Sequence, residues 1–120
     1  MKTVLVVDDS EFMRKLIMKH IKDLDVSIIG EAEDGKIAVE KYIELKPDIV
    51  TLDLAMHEHG GIEALKKIMQ HNPEAKVIIV CSTAGQDSVL DEAKALGAHA
   101  IINKPIKTEE LIDAFNSLLD

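Results

Sequence analysis

Aromatic residues are scarce in this sequence, whose 120 residues include two Phe, one Tyr and no Trp. So few aromatic side chains leave little means of stacking on nucleic-acid bases. Basic residues are also in the minority, with 14 Lys and Arg against 22 Asp and Glu, which gives a formal net charge of -8. This balance disfavours a nucleic-acid surface and favours high solubility and a partner with a basic face.

Cysteine and long apolar runs are nearly absent as well. The single cysteine, Cys81, lies inside an apolar run, so an internal disulfide is excluded and we expect a buried thiol with no chemical role. No apolar run approaches the roughly 18 residues of a membrane span, and a strand pattern begins at the N-terminus. We therefore expect no membrane span, no signal peptide and a cytoplasmic location. The 47% of apolar residues suffice for the core of one domain covering residues 1–120.

Two periodicities alternate along the chain. Short apolar runs, typical of strands buried on both faces, are separated by segments whose apolar residues recur at helical spacing. The predicted strands cover residues 3–9, 26–30, 48–53, 76–82 and 98–103. Helices are predicted after the capping residues Ser10 and Asp34, after the loop that ends at Gly61, over about residues 87–96, and from Thr108 onward. The first helix is expected to present Phe12, Leu16, Ile17, Ile21 and Leu24 on its apolar face.

Strands and helices that alternate through short connections predict an α/β fold with a parallel sheet and helices on both faces. Polar side chains stand where four of the strands end. Because ligands bind at the carboxyl edge of such sheets, these residues are expected to form one site. Three carboxylates gathered there indicate a hard cation and a phosphoryl-type ligand. The residues are Asp8, Asp9, Asp53, Ser82, Thr83 and Lys104.

Five motifs in this order resemble the receiver domains of response regulators, and within that family the single-domain regulators of chemotaxis. They are Val6-Val7-Asp8-Asp9-Ser10 with Phe12-Met13-Arg14, then Leu52-Asp53, Gly61, Ser82 and Lys104-Pro105. The resemblance covers essentially the whole chain. It implies a flavodoxin-like, doubly wound (βα)5 sheet with the strand order 2-1-3-4-5.

The resemblance also implies the chemistry of the site. Asp53 would accept a phosphoryl group, Ser82 would donate a hydroxyl hydrogen bond to it, and Lys104 would reach it as a positive charge. The step between Lys104 and Pro105 resembles the family's cis peptide.

Mg²⁺ is the cofactor that the resemblance implies, since phosphoryl attack brings anionic oxygens together and a divalent cation offsets their charge. Asp9 and Asp53 would bind the ion directly, and Asp8 would act largely through a metal-bound water. The backbone carbonyl of Ala55 would complete the protein ligands.

The implied function is that of a two-component response regulator that is activated by phosphorylation and assists its own phosphotransfer and dephosphorylation without being an enzyme. The phosphodonor would be a chemotaxis histidine kinase. The target would be the flagellar motor switch protein or another response protein, bound on the face formed by helix four, strand five and helix five. A phosphatase is a further candidate partner, and the chain is expected to be a monomer.

Two departures from the family pattern stand out. Ala100, Ile101 and Ile102 occupy the part of strand five where receivers usually carry an aromatic residue. The segment His57-Glu58-His59 replaces a proline-containing loop after the acceptor. Imidazoles and a carboxylate suit zinc, nickel or copper, so a pseudo-receiver with an altered metal-binding loop is an alternative.

Three more interpretations fit part of the sequence pattern. A receiver of a non-chemotaxis phosphorelay would share the whole site. A hydrolase of the haloacid-dehalogenase type also uses an Asp nucleophile, but requires a second acid where this chain has Ala55. A flavin-binding flavodoxin would share the sheet, but Asp8 and Asp9 would repel its phosphate.

Overall fold

The computed structural model describes residues 1–54, 60–82 and 87–119. Strands and helices alternate throughout, as the two periodicities predict. The strands are β1 (Lys2–Val7), β2 (Val26–Ala32), β3 (Ile49–Asp53), β4 (Lys76–Cys81) and β5 (Ala100–Asn103). The helices are α1 (Glu11–Ile21), α2 (Gly35–Leu45), α3 (Gly61–His71), α4 (Asp87–Leu96) and α5 (Thr108–Leu119).

The strands form one parallel sheet in the order β2-β1-β3-β4-β5. This is the flavodoxin-like order that the family resemblance implied, and it is confirmed. Strand β1 lies between β2 and β3, with Val7 opposite Ala32 on one side and Leu52 on the other. The carboxyl ends of β1 and β3 are therefore neighbours, which positions the site described below.

Each face of the sheet has its own apolar core. On one face, alternate residues of the strands pack with α1 and α5, and the largest buried side chains from these helices are Ile17, Ile21, Leu111 and Phe115. On the other face, the intervening strand residues pack with α2, α3 and α4. Strands covered on both sides have no polar face, which explains their continuous apolar runs.

Helix ends follow the predicted capping chemistry. The Ser10 hydroxyl accepts a hydrogen bond from the Met13 amide at 3.3 Å, and an Asp34 carboxylate oxygen accepts one from the Ile37 amide at 2.8 Å. Each cap satisfies an amide that has no partner within its helix. Gly97, which follows α4, has a φ of 105°, a conformation that glycine adopts without strain.

Besides shifts of one or two residues at the ends of other strands, three predicted features differ from the structure. Strand β2 continues to Ala32 because it pairs with the end of β1, whereas β5 begins only at Ala100. The third difference is Phe12, which was expected on the apolar face of α1 but is 73% exposed. At 100° per residue, Phe12 lies about 140° around the helix from the buried Ile17, so helical geometry directs it away from the core.

Helix α4 packs on the sheet through a narrow apolar surface. Of its side chains from residue 88 onward, Ala93 is buried, and Leu90 and Leu96 are partly buried against the core. Within the described ranges, no helix combines the length and apolar character needed to cross a membrane.

Candidate functional site

Three carboxylates meet at the carboxyl edge of the sheet. Asp8 and Asp9 follow the last residue of β1, and Asp53 is the last residue of β3. Because these strands are adjacent and parallel, one carboxylate oxygen from each of the three residues lies within 4.8 Å of the others. The convergence predicted from the strand ends is confirmed.

The three acids differ in their exposure to solvent. Asp8 is 1% exposed and Asp53 is 3% exposed, whereas Asp9 is exposed. The cluster is therefore walled by protein on one side and open to solvent at Asp9. A ligand that carries its own oxygens or waters could enter from this open side without displacing the core.

Lys104, which follows β5, provides the positive charge of the site. Its ammonium nitrogen lies 3.3 Å from Oδ2 of Asp8 and 3.4 Å from Oδ2 of Asp53. The backbone amide of Lys104 donates to the carbonyl of Cys81 at 2.9 Å, which ties this residue to the end of β4. The peptide between Lys104 and Pro105 is cis, as the family resemblance implied.

Burial controls the ionisation of Asp8. Loss of solvent raises the pKa of its carboxyl group, and the Asp53 charge raises it further, although the Ser10 amide and Lys104 act in the opposite direction. Burial alone would lower the pKa of Lys104, but the charges of Asp53 and Asp8 outweigh that effect and raise it. The lysine therefore stays protonated beside a pair of acids whose charges repel each other.

The turn after β1 is held by hydrogen bonds to its backbone and side chain. The Ser10 amide donates to Oδ1 of Asp8 at 2.9 Å, and the Asp8 amide donates to the Ala32 carbonyl at 3.1 Å. Ser10 therefore serves two purposes, since its hydroxyl also caps α1. These contacts fix the Asp8 carboxylate before any ligand binds.

Gly61 allows helix α3 to start directly against the end of β3. A Cβ atom at this position would overlap the Asp53 carbonyl oxygen and would lie 2.5 Å from the Cα atom of Leu54. Real Cβ atoms do not approach backbone this closely, so only glycine fits without a shift of the strand end that carries Asp53. The presence of Gly61 in the motif thus has a steric cause.

The remaining predicted site residues lie partly outside the described structure. Ser82 is exposed and directly follows β4, at the same edge of the sheet as the acids. Thr83, the Ala55 carbonyl and the segment His57-Glu58-His59 lie outside the described residues. Their assigned roles stay predictions.

Cys81 is buried, as expected from its apolar surroundings. Burial raises the pKa of its thiol, and the Asp53 charge adds to this effect. A thiol held protonated is a poor nucleophile and metal ligand, which agrees with a purely structural thiol.

The donor set fits a small hard cation. Carboxylate oxygens are the protein ligands that Mg²⁺ prefers, and Mg²⁺ usually keeps several waters and binds through only one or two carboxylates. Asp9 and Asp53 can supply such ligands while the solvent-open side leaves room for water or phosphoryl oxygens. The arrangement can therefore hold a divalent cation beside a nucleophilic carboxylate.

Arg14 lies beside the acidic cluster and, within the described part of the chain, contacts none of its carboxylates, and the sequence motif that contains Arg14 predicts no role for its side chain. The structure shows its guanidinium bonded to the backbone of the Asp8 turn. The sequence offers one hint of this contact, since Arg14 is a basic residue six positions after Asp8, the acid that follows β1. The contact itself depends on how α1 packs against the sheet, so no local pattern predicts it.

Comparison with known proteins matches this chain to receiver domains over nearly its full length. Residues 4–116 match the family model of the response regulator receiver domain. The chain is 47% identical to the chemotaxis protein CheY of Thermotoga maritima, with 98% of this chain and 97% of that protein covered. It is 42% identical to the chemotaxis protein CheY of Bacillus subtilis, with 98% and 97% covered.

A solved structure shares the fold as well. The CheX-CheY-BeF3-Mg²⁺ complex from Borrelia burgdorferi contains a chain that superposes with a TM-score of 0.91 at 32% identity, covering 99% of this chain and 90% of that chain. Sequence and structure comparisons therefore agree over nearly the entire chain.

Proposed function

The chain belongs to the response-regulator receiver family, and we propose that it is a chemotaxis regulator activated when Asp53 accepts a phosphoryl group. The convergence of Asp8, Asp9, Asp53 and Lys104 at one sheet edge carries this proposal. The chain is a CheY-like signalling protein, and in our proposal it accepts the phosphoryl group once per activation and does not act as an enzyme on other substrates.

In the proposed reaction, a carboxylate oxygen of Asp53 attacks the phosphorus atom of a phosphohistidine. An oxygen–phosphorus bond forms as the phosphorus–nitrogen bond breaks, and the electron pair remains on the leaving imidazole, which takes up a proton. The nucleophile is already oriented, because Asp53 is buried at the end of β3. Lys104 stands where it can offset charge on the transferred group.

Asp8, Asp9 and Asp53 would hold Mg²⁺, with the Ala55 carbonyl as a further ligand. When bound, Mg²⁺ supplies positive charge that lowers the repulsion between the attacking carboxylate and the phosphoryl oxygens. Asp8 keeps its position through the Ser10 amide, and Ser82 would donate its hydroxyl to the phosphoryl group.

The partners follow from the family. A histidine kinase would donate the phosphoryl group, and a downstream target such as the flagellar motor switch would bind the activated form. A phosphatase is a further candidate. The face formed by α4, β5 and α5 is the proposed docking surface, since the shallow packing of α4 lets it reposition at low energetic cost.

Chemotaxis is the favoured pathway. Relatives of 42% to 47% identity over nearly the full chain carry the name chemotaxis protein CheY. The receiver of another phosphorelay, and a pseudo-receiver that captures metal on His57 and His59, are not favoured by these relatives.

Intact-mass spectrometry tests the proposal. The protein is incubated with a small-molecule acyl phosphate, with Mg²⁺ or with excess EDTA, beside Asp53→Asn and the control Asp25→Asn, which alters an exposed acid just before β2. We expect one phosphoryl adduct that requires Mg²⁺, is lost in Asp53→Asn and persists in Asp25→Asn. An adduct that survives in Asp53→Asn would contradict the proposal.

A further inference from the structure

Arg14, on α1, contacts the turn after β1 and the end of β2 next to the acidic cluster. Its Nε atom donates to Oε1 of Glu31 at 2.9 Å, and its Nη1 atom donates to the backbone carbonyl of Asp8 at 2.6 Å. The side chain is only 13% exposed. A guanidinium on α1 thus links the residue that follows β1 to the end of β2.

The other end of this link is anchored as well. The Glu31 carbonyl accepts a hydrogen bond from the Lys41 ammonium at 2.5 Å, which ties the end of β2 to α2. The Glu31 carboxylate, 44% exposed, faces Arg14 from this anchored strand. Arg14 is therefore held on a rigid frame and is not a freely rotating surface side chain.

The Asp8 carbonyl belongs to the peptide that joins Asp8 to Asp9. Fixing this oxygen restrains the plane of the peptide, and with it the position of the Asp9 Cα atom from which the side chain extends. The hydrogen bonds from Ser10 and to Ala32 hold the Asp8 carboxylate and the Asp8 amide. The contact from Arg14 acts on the backbone between the two carboxylates.

We propose that Arg14 is a positioning residue for the cation site, which orients the Asp8–Asp9 peptide so that both carboxylates face a divalent cation. This inference rests on the proposed function, since it assumes that Asp8 and Asp9 hold Mg²⁺. Groups that orient metal ligands without touching the metal commonly change its affinity by about 10- to 100-fold when they are removed.

Charge and positioning predict opposite signs for the loss of Arg14. A guanidinium near a divalent cation repels it, so removal of the charge alone would strengthen Mg²⁺ binding. Loss of the carbonyl contact would instead free the Asp8–Asp9 peptide and weaken binding. The sign of the change in Mg²⁺ affinity therefore separates the two effects.

The test is a calorimetric titration with Mg²⁺ alone, without any phosphodonor. The variants are Arg14→Met, Arg14→Lys and the control Lys15→Met, whose exposed ammonium pairs with Glu11 at 2.9 Å on the same helix. We expect Arg14→Met to weaken Mg²⁺ binding about tenfold. Arg14→Lys should also weaken it, because one ammonium cannot reproduce the fork that reaches both acceptors. Lys15→Met should match the wild type.

Two further measurements exclude a general loss of structure. At saturating Mg²⁺, the phosphorylation rate of Arg14→Met should return to the wild-type value, while the Mg²⁺ concentration for half-maximal rate rises about tenfold. If Arg14→Met does not fold, Glu31→Ala and Glu31→Gln replace it. Glu31→Ala should weaken Mg²⁺ binding more than Glu31→Gln, which keeps an acceptor oxygen for Nε.

An Arg14→Met protein that is folded and binds Mg²⁺ as tightly as the wild type, or more tightly, would overturn the inference. Equal Mg²⁺ affinities for the two Glu31 variants would do the same. A wild-type protein that binds Mg²⁺ but accepts no phosphoryl group would contradict the proposed function instead, and a wild-type protein that binds no Mg²⁺ would contradict both.

Discussion

At the scale of single residues, the buried position of Asp8 in the proposed cation site lowers the stability of the metal-free protein. Burial and the Asp53 charge raise the pKa of Asp8, so the native state holds this proton at a higher pH than the unfolded chain does. The native state therefore gains stability as the pH falls through the pKa of Asp8, and at neutral pH the ionised Asp8 destabilises the metal-free protein.

Asp8→Asn should consequently raise the free energy of unfolding of the metal-free protein at neutral pH by about 1 kcal/mol, while weakening Mg²⁺ binding. The single amide oxygen can replace one of the two carboxylate acceptors, which now bind the Ser10 amide and the Lys104 ammonium, so the expected gain is net of one lost hydrogen bond. Urea denaturation in EDTA, at neutral and at mildly acidic pH, measures the free energy of unfolding of both proteins. The difference between Asp8→Asn and the wild type should shrink as the pH falls, because the wild-type Asp8 becomes protonated. A variant less stable than the wild type would show that the Lys104 pair outweighs the cost of burial.

Thr51 is a second residue whose polar group opposes stability. It is fully buried in β3, and its hydroxyl has no hydrogen-bond partner within the described part of the chain. A buried hydroxyl without a partner costs about 1 to 3 kcal/mol. Thr51→Val should therefore raise the free energy of unfolding by about 1 kcal/mol.

Thr3→Val provides the matched control in another strand. The Thr3 hydroxyl donates to the Asp48 carboxylate at 3.1 Å and accepts from the Asp48 amide at 3.0 Å. Its loss should lower the free energy of unfolding by about 1 kcal/mol. If both variants shifted the denaturation midpoint equally, the buried Thr51 hydroxyl would not destabilise the protein as proposed.

The residues of the site are predictable from sequence to different degrees. Asp8, Asp9, Asp53 and Lys104 stand within two residues of the ends of apolar runs, so the edge of a parallel sheet gathers them. Arg14 lies inside a helix, where the sequence does not reveal which backbone group it reaches. That contact follows from tertiary packing alone.

At the scale of elements, the junction between β3 and α3 controls the position of Asp53, the proposed acceptor. Gly61→Ala would force a Cβ atom into the backbone at Asp53 and Leu54. The strand end or the helix must then shift, which should cost about 1 to 3 kcal/mol of stability and reduce the phosphorylation rate.

Gly60→Ala is the control for this junction. Among the described residues, no heavy atom lies within 4 Å of a Cβ built at Gly60, and the Gly60 φ of -53° suits any residue. We expect both its unfolding midpoint and its phosphorylation rate to remain close to the wild type. If Gly61→Ala behaved in the same way, the proposed steric role of Gly61 would be wrong.

Element boundaries are harder to predict than element types. The prediction for α4 matches its observed range, Asp87–Leu96, because Gly97 ends it with a left-handed backbone conformation. The extension of β2 to Ala32 depends on pairing with β1, which no local pattern encodes. The prediction for Phe12 was wrong because Phe12 precedes the buried Ile17 by five residues, which places it about 140° away from Ile17 around the helix.

At the scale of the whole molecule, alternation of strands and helices suffices to predict a parallel α/β sheet, but it does not determine the strand order. That order came from the family resemblance, and the sheet topology confirms it. The formal net charge of -8 favours solubility and partners with a basic docking face.

Locating the modified residue tests whether Asp53 is the phosphoacceptor. The phosphorylated protein is reduced with borohydride, which converts an aspartyl phosphate to homoserine, and its peptides are sequenced by mass spectrometry. We expect homoserine at position 53 and unmodified Asp8 and Asp9. Homoserine at another acid, or phosphate retained on His57 or His59, would contradict the account.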